Sequence, residues 1–264
     1  MTIYAKKSLG QHFLNSRHVL EQIISAAKIQ RGETILEIGP GMGILTEALL
    51  KAGAKVIAIE KDDIAYNMLS IKDWGTANKD LALIHGDILN ESIPDSSGGA
   101  NGNYAIVANI PYYITGAILE KFLEHEPRPN RMILLVQKEV AERIIARDGK
   151  ESILSISVKA FGQPKLIANV PPGAFTPPPT VDSAILAIEN ISDKHFVEYH
   201  AEIRKFFDLL KAGFAHKRKY LIRNLEAVVN KEQLENKWRK LQLDAKIRAE
   251  DVKLETWFKI ASSL

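Results

Sequence analysis

The sequence predicts an α/β protein with a mostly parallel sheet, an antiparallel hairpin at one edge of that sheet, and a small all-α C-terminal domain. Three observations lead to this fold class. Short apolar runs alternate with helical stretches from residue 33 onwards, a proline-rich segment follows at residues 171–179, and the pattern beyond residue 193 is wholly helical. Near-continuous apolar strands separated by helices are typical of a parallel sheet that is covered on both faces.

Five strands and three helices are predicted in the first part of the chain. The strands cover residues 34–38, 55–59, 81–84, 104–108 and 132–136, and the helices cover residues 44–52, 63–69 and 139–145. Residues 94–103, between the third and fourth strands, are rich in Gly, Ser and Asn. This composition predicts a flexible surface loop, because it offers little apolar surface to bury.

The proline-rich segment and the residues after it predict the sheet edge and the C-terminal domain. Five prolines occur within residues 171–179, which excludes a helix or a central strand and predicts a stiff surface loop. Residues 181–188 are predicted to be a strand that returns antiparallel to residues 166–170. Helical spacings of three and four then relate Phe196, Tyr199, Ile203, Phe206, Leu210 and Phe214. We therefore expect a first domain at residues 1–190 and a helical domain at residues 191–264.

Charge is unevenly distributed between these two parts. Residues 1–190 contain 19 Lys and Arg against 21 Asp and Glu, whereas residues 191–264 contain 16 against 11. A cationic C-terminal part beside a near-neutral body predicts a polyanionic partner, although basic runs are more often solvated helix faces. The densest basic group consists of Arg204, Lys205, Lys211, Lys217, Arg218, Lys219 and Arg223.

The composition also argues against several classes of protein. The chain has no cysteine, so disulfides and cysteine-type zinc sites are absent and a reducing, cytoplasmic location is expected. The seven histidines are scattered along the sequence, and we expect no metal site. No apolar run approaches the roughly 18 residues of a membrane span, and the N-terminal residues do not resemble a signal peptide.

A glycine-rich turn joins the first predicted strand to the first predicted helix. Residues 39–43 read Gly-Pro-Gly-Met-Gly. In an open parallel sheet, ligands bind at the carboxyl ends of the strands, and glycines there let the backbone approach a ligand closely. Ile44 stands where the dinucleotide fingerprint requires a third glycine, which counts against NAD and FAD. A Walker A loop is excluded because no Gly-Lys-Ser/Thr follows.

Three polar residues follow three successive predicted strands. They are Glu60, Asp87 and Asn109. Each of them alone is more often a cap or a turn residue. Because the carboxyl ends of parallel strands meet at one edge of the sheet, the three together predict a binding crevice.

Asn109 begins the most informative segment of the chain. Pro111 has a fixed φ and pushes the preceding residue towards extended geometry, so the carbonyl of Ile110 has a defined direction. The side-chain oxygen of Asn109 and this carbonyl are two acceptors beside the ring of Tyr112. Such a group suits a planar amino group like the exocyclic nitrogen of adenine. The alternative is a strand-end turn in which Asn109 caps a following helix.

These residues resemble the class I S-adenosylmethionine-dependent methyltransferases that act on adenine N6, which have a Rossmann-like sheet. Further motifs narrow the resemblance: Ser-Leu-Gly-Gln-His-Phe-Leu at 8–14, Lys-Glu-Val-Ala-Glu-Arg-Ile at 138–144, Phe-x-Pro-Pro-Pro-x-Val-Asp-Ser at 175–183, and the basic stretch at 213–225. Over about residues 6–260 the chain is similar to the ribosomal RNA adenine N6,N6-dimethyltransferases, in particular to the small-subunit dimethyladenosine transferase branch.

The resemblance implies S-adenosylmethionine as the cofactor and dimethylation of adenosines, two adjacent ones, in small-subunit ribosomal RNA during ribosome biogenesis. The implied cofactor-binding residues are His12, Leu14, Gly39, Gly41, Glu60, Asp87 and Asn109. The implied catalytic residues are Asn109, Ile110, Pro111 and Tyr112, with Phe175 as the candidate for the other face of the target base. For Phe175 the alternative is simple packing under the proline-rich loop. The implied RNA-binding residues are Arg204, Lys211, Lys217, Arg218, Lys219 and Arg223.

Two departures from the family pattern and several alternative functions remain at this point. Tyr113 replaces a second Asn that the family often has, and Ser152-Ile153 replaces the usual Tyr-Gly; both could alter the packing of the target loop.

The alternative functions are a non-catalytic RNA-binding assembly factor, a large-subunit rRNA adenine methyltransferase that confers antibiotic resistance, and a nicotinamide oxidoreductase, which Ile44 disfavours. We expect a monomer that binds neither a metal nor a membrane.

Overall fold

A computed structural model of the chain describes residues 10–91 and 103–262. Two parts of the sequence-based expectations lie outside these residues: the start of the N-terminal motif, at residues 8 and 9, and most of the loop expected at residues 94–103. Contacts divide the chain into two units, one formed by residues 1–141 and 165–191 and the other by residues 142–164 and 192–264. The predicted single boundary near residue 190 differs from this division, because residues 142–164 group with the C-terminal part.

The described residues form nine strands. In chain order they are β1 (Phe13–Leu14), β2 (Thr34–Ile38), β3 (Lys55–Glu60), β4 (Leu81–His85), β5 (Tyr104–Asn109), β6 (Arg131–Gln137), β7 (Gln163–Val170), β8 (Phe175–Thr176) and β9 (Ser183–Glu189). The five strands predicted between residues 34 and 136 are all present, each within two residues of its expected bounds.

Seven of these strands form one sheet in the order β4-β3-β2-β5-β6-β9-β7. The first five strands in this order, β4 to β6, are parallel to one another. The next strand, β9, is antiparallel to β6. This arrangement confirms the predicted mostly parallel sheet with antiparallel strands at one edge. The remaining two strands, β1 and β8, pair with each other in a separate antiparallel ribbon.

Eleven α-helices are present among the described residues. They are α1 (Arg17–Ala27), α2 (Ile44–Lys51), α3 (Asp63–Ser70), α4 (Thr115–Glu124), α5 (Lys138–Ile145), α6 (Ile153–Phe161), α7 (Lys194–Glu198), α8 (Ile203–Phe214), α9 (Leu221–Leu225), α10 (Lys231–Leu241) and α11 (Leu254–Ala261). Within the described ranges, no helix is long and apolar enough to cross a membrane.

The first helix, which was not predicted from the sequence, shows how local chemistry fixes an element beside the sheet. Ser16 caps its N-terminus by accepting a hydrogen bond from the backbone of Val19, a role that serine side chains favour. At the other end of the helix, Arg131 of β6 donates to the carbonyl of Ala27 at 2.8 Å and forms a two-pronged ion pair with Glu33. The helix is therefore tied to the sheet at its C-terminus.

The C-terminal unit is built around aromatic side chains. The ring of Phe206 stacks on that of Phe258 with centroids 4.5 Å apart, and Phe196 contacts both of them edge-on. The helical spacing predicted through residues 196–214 is interrupted between α7 and α8, where His200 adopts a φ of 51°. The aromatic residues therefore lie on two separate helices, α7 and α8, whereas the sequence pattern suggested one continuous helix.

Candidate active site

A cavity of about 170 Å³ lies in the first unit at the carboxyl ends of the central strands. Its walls come from five segments of the chain, within residues 10–14, 37–45, 59–61, 86–89 and 109–114. Parallel strands bring these segments together although up to about 100 positions separate them in sequence. The crevice predicted from the three strand-end polar residues is thus present, and all three of those residues line it.

The glycine-rich turn after β2 forms one wall of this cavity. Gly41 has a φ of 56°, and a β-carbon at this position would lie 3.0 Å from two ring atoms of Phe13. Gly43 has a φ of 75°, and a β-carbon there would lie 2.7 Å from the side chain of Leu69. Glycine is required at both positions because of backbone conformation and close approach together.

Glu60, the last residue of β3, holds this turn in place. One of its carboxylate oxygens accepts a hydrogen bond from the backbone N–H of Gly41 at 2.9 Å, and the other accepts from the N–H of Asp62 at 2.8 Å. The side chain is buried, and burial raises the pKa of Glu60. Its implied role in binding the cofactor stays a prediction.

Glu37 is a functional candidate that was not predicted from the sequence. It lies inside the fully buried strand β2 and lines the cavity, and its Oε2 has no hydrogen-bond partner among the described residues. Burial raises the pKa of Glu37 to about 8, and the nearby carboxylate of Glu60 acts in the same direction. The sequence does contain a signal for this residue, since Glu37 is a single carboxylate within an apolar strand. A buried carboxylate needs a compensating partner or a ligand.

We expect Glu37 to make the stability of the protein depend on pH. The folded protein keeps a proton on Glu37 up to a pKa of about 8, whereas the usual pKa of a glutamate side chain is 4.5. The folded state therefore binds more protons than the unfolded state between these values. The free energy of unfolding should fall as pH rises through this range, by up to about 1.4 kcal/mol per pH unit.

Denaturant unfolding at a series of pH values measures this slope. Glu37→Gln should reduce the slope, because glutamine does not titrate and only Glu60 still contributes with a raised pKa. The control Glu47→Gln should keep the slope of the wild type, because the pKa of Glu47 is lowered and lies below this range. Parallel curves for the wild type and Glu37→Gln would contradict the assignment.

Asp87, two residues beyond β4, is engaged by a lysine at the cavity wall. Its Oδ2 accepts from the ammonium group of Lys61 at 2.8 Å, and its Oδ1 accepts from the backbone of Leu89 at 3.0 Å. The hydrogen bond from Lys61 holds the pKa of Asp87 below its usual range. The carboxylate is therefore ionised at neutral pH and available as an acceptor at the cavity wall.

The N-terminal segment, residues 10–15, orients the side-chain amide of Asn109 at the end of β5. Its Nδ2 donates to the main-chain carbonyl of His12 at 2.9 Å. With the nitrogen bonded there, the oxygen is the end of the amide that remains to accept a hydrogen bond. The alternative role of Asn109 as a helix cap is wrong, because the residue that precedes α4 is Ile114, which makes no side-chain capping bond.

The residues that follow Asn109 line the same cavity. Pro111 has φ −57° and ψ 132°, and the side chain of Ile110 is buried. The ring of Tyr112 stacks on that of His12 with centroids 5.9 Å apart, and its hydroxyl lies 2.6 Å from the hydroxyl of Ser183. The ring of Tyr112 is thus fixed at the cavity wall by contacts at both ends.

The N-terminal segment is attached to the end of the proline-rich segment. In the ribbon of β1 and β8, Leu14 pairs with Phe175. A ring nitrogen of His12 lies 2.8 Å from the carbonyl of Pro177, and Asn15 donates to the hydroxyl of Thr176 at 2.6 Å. These contacts place His12 and Leu14 at the cavity, and their binding of the cofactor stays a prediction.

Phe175 is not where the prediction placed it. Its side chain is only 2% exposed, belongs to the hydrophobic core together with Leu14 and Ala174, and is not among the described residues that line the cavity. This position corresponds to the alternative interpretation, packing under the proline-rich loop. A base could stack on this ring only after the ring had been uncovered.

The predicted RNA-binding residues lie on the surface of the second unit. Arg204 and Lys211 are on α8, Arg223 is on α9, and residues 217–219 lie in the connection between these helices. All six side chains are exposed. The side chain of Asn224 donates to the carbonyls of Gly213 and His216, at 2.6 and 3.1 Å, and so ties α9 to the end of α8.

Comparisons with known proteins were consistent over nearly the whole chain. The model of the family described as ribosomal RNA adenine dimethylase matches residues 3–264. The chain is 43% identical over 261 residues to ribosomal RNA small subunit methyltransferase A of Dehalococcoides mccartyi, covering 98% of this chain and 88% of the relative. The protein of the same name from Mycoplasmopsis pulmonis is 36% identical and is covered over 96% of both chains.

Two solved structures resemble the fold. A dimethyladenosine transferase from Plasmodium falciparum has a TM-score of 0.78 and 28% identity, covering 94% of this chain and 96% of that chain. The 23S rRNA methyltransferase ErmE has a TM-score of 0.69 and 21% identity, covering 94% and 97%. At that identity the second comparison shows the fold alone.

The sheet order, the glycine turn and the cavity at the strand ends define a class I methyltransferase. The chain belongs to the ribosomal RNA adenine dimethylase family. The protein is therefore an rRNA adenine dimethyltransferase, which confirms the resemblance found in the sequence.

Proposed function

We propose that this enzyme dimethylates N6 of adenosines in small-subunit ribosomal RNA, with S-adenosylmethionine as the methyl donor. The observation that carries the proposal is the orientation of Asn109, whose nitrogen donates to His12 and whose oxygen is left as an acceptor at the cavity. The choice of the small subunit rests on relatives of that name at 36–43% identity. The fold shared with a 23S rRNA methyltransferase, at 21% identity, supports the large subunit less.

The residues at the cavity fit S-adenosylmethionine. The turn at residues 39–43 approaches the cavity without side chains at its glycines, and Glu60 and Asp87 offer carboxylate acceptors. The buried Oε2 of Glu37, which lacks a partner among the described residues, adds a polar group that can form a hydrogen bond with the ligand. His12, Leu14, Gly39 and Gly41 complete the proposed cofactor-binding set. When bound, S-adenosylmethionine supplies a methyl group activated by a sulfonium.

The protein's contribution to methyl transfer is orientation. The N6 lone pair of adenine is delocalised into the ring, which makes the nitrogen a poor nucleophile. In the first transfer, the oxygens of the Asn109 side chain and the Ile110 main chain would accept its two hydrogens, which lets the nitrogen pyramidalise and direct its lone pair at the methyl carbon. The new N–C bond would form as the bond from that carbon to sulfur breaks, and the nitrogen would then lose one proton to solvent. Alignment of this kind lowers barriers by about 7–11 kcal/mol. Tyr112 would hold the base by stacking, with Pro111 fixing the direction of the Ile110 carbonyl.

A direct assay separates the candidate functions. Small ribosomal subunits that lack dimethyladenosine are incubated with the protein and methyl-labelled S-adenosylmethionine, and the RNA is then digested to nucleosides. We expect label in N6,N6-dimethyladenosine from the small-subunit RNA and none from large-subunit RNA treated in parallel. Label in the large-subunit RNA would support the antibiotic-resistance function. Absence of label in both would leave only a non-catalytic assembly role.

The exposed basic residues of the second unit are proposed to bind RNA phosphates. Lys217, Arg218 and Lys219 form no ion pair with any described residue, whereas Arg223 pairs with Glu226 at 2.7 Å. Unpaired cations in one short connection can contact successive phosphates without reading the base sequence. Arg204, Lys211 and Arg223 extend the same basic surface along α8 and α9.

Replacing the three connection residues with alanine should weaken RNA binding and reduce its dependence on salt. A plot of log Kd against log salt concentration should lose about 0.7 of its slope for each phosphate contact removed, or about 2 in all. The matched control replaces three exposed basic residues of α10, Lys231, Arg239 and Lys240. Equal losses of slope in the two triple variants would mean that the connection has no special role.

A further inference from the structure

Tyr113 is an exposed aromatic residue at the wall of the active-site cavity. Its side chain is 63% exposed although it lines the same cavity as Asn109 and directly follows the half-buried Tyr112. Single exposed aromatic residues are ordinary on protein surfaces, so a role for this one must follow from its surroundings.

The backbone around Tyr113 is fixed. Tyr113 is the middle residue of a short 3₁₀ helix, Tyr112–Ile114, which is closed by a hydrogen bond from the N–H of Ile114 to the carbonyl of Pro111 at 3.2 Å. Its ring lies against Gly10, because a β-carbon at Gly10 would be 3.4 Å from Cδ1 and 3.6 Å from Cε1 of the ring. The ring is therefore supported by the N-terminal segment.

The two neighbouring tyrosines differ in what their rings contact. Tyr112 already stacks on His12, and its hydroxyl is bonded to Ser183. Among the described residues, no aromatic ring stacks on Tyr113 and no hydrogen bond holds its hydroxyl. Tyr113 thus offers a supported but uncovered ring beside the place where the target base is proposed to bind.

A cation lies on the wall of the same cavity. Lys61 lines the same cavity, its side chain is 56% exposed, and its ammonium group is bonded to Asp87. The hydrogen bond to Asp87 raises the pKa of Lys61, so this side chain stays positively charged. An exposed ring and a basic side chain on the wall of one cavity are a combination with which proteins bind single-stranded nucleic acids.

We propose that Tyr113 stacks on the nucleobase next to the adenine that enters the cavity, and so determines how the single-stranded RNA is held at the active site. This inference rests on the proposed function. It assigns different bases to the two tyrosines: Tyr112 contacts the base that reacts, and Tyr113 contacts its neighbour in the strand. Stacking of this kind accepts any base, because every base has a π face.

Steady-state methylation of unmodified small ribosomal subunits tests the proposal with Tyr113→Ala, Tyr113→Phe and Tyr113→Trp. We expect Tyr113→Ala to raise the KM for RNA by about fivefold to a hundredfold, with the Kd for S-adenosylmethionine changed by less than about twofold. Phe and Trp should restore the KM for RNA, since they retain a stacking face. The control is Ile71→Ala, which removes a side chain that is 82% exposed outside the cavity wall.

Three outcomes would overturn the proposal. An unchanged KM for RNA in Tyr113→Ala would show that the ring does not contact RNA. An equal rise in the Kd for S-adenosylmethionine would assign the ring to the cofactor, and failure of Phe to restore activity would assign the effect to the hydroxyl. A wild-type enzyme that transfers no methyl group to adenosine would instead refute the proposed function itself.

Discussion

Asn109→Ala is expected to lower kcat for adenine methylation by about 10²–10³-fold, the usual loss when one preorganised hydrogen-bonding group is removed from a reacting centre. The substitution removes the proposed acceptor for N6 together with the hydrogen bond to the carbonyl of His12. The affinity for S-adenosylmethionine should change much less than kcat. Single-turnover methylation together with cofactor titration separates the two effects.

Two further variants sharpen this test. Asn109→Asp retains oxygen acceptors but cannot donate to the carbonyl of His12, which lies 2.9 Å from the amide nitrogen in the native protein. It should therefore also be slow, since a carboxylate next to that carbonyl is repelled and loses its orientation. Asn130→Ala, at an asparagine outside the cavity wall, should keep the wild-type kcat. Near-native turnover by Asn109→Ala would refute the proposed chemistry.

Glu60→Ala should cause the second large effect, a combined loss of stability and cofactor affinity. The carboxylate of Glu60 accepts from the backbone of Gly41 and of Asp62, and the substitution leaves both N–H groups without this partner. Each buried, unsatisfied amide costs about 1–3 kcal/mol. Denaturant unfolding measures the stability, and titration with S-adenosylmethionine measures the binding.

The conservative variant separates the two roles of this residue. Glu60→Gln keeps one oxygen acceptor and should recover part of the stability, while the loss of the charged acceptor still weakens cofactor binding. Glu47→Ala, which removes an exposed carboxylate paired with Lys51, should cost less than about 1 kcal/mol. If Glu60→Ala unfolds like the wild type, the carboxylate does not hold the glycine turn.

The sheet could be predicted well from the sequence because each strand is a short apolar run with clear ends. The grouping of Glu60, Asp87 and Asn109 was predictable too, since parallel strands deliver their carboxyl ends to one edge. The bonds from Gly41 to Glu60 and from Asn109 to His12 were not predictable. Those contacts depend on loop geometry, which periodicity does not encode.

Other features escaped prediction for identifiable reasons. Helix α1 was missed because it precedes the first long strand, outside the stretch in which helices alternate with strands. The burial of Phe175 follows from the pairing of β1 with β8, a contact between segments about 160 residues apart. Glu37 adjoins the glycine motif and drew no prediction of its own, although an acid within an apolar strand is itself a signal.

The bond between Asn109 and the carbonyl of His12 joins residues 97 positions apart. The stretch that contains His12 is in turn anchored to Thr176 and Pro177. During synthesis on the ribosome, Asn109 would therefore be made well before Thr176 and Pro177, the residues that anchor the segment containing His12. Catalytic competence should appear only once translation has passed residue 177, so that unfinished copies of this enzyme do not modify RNA.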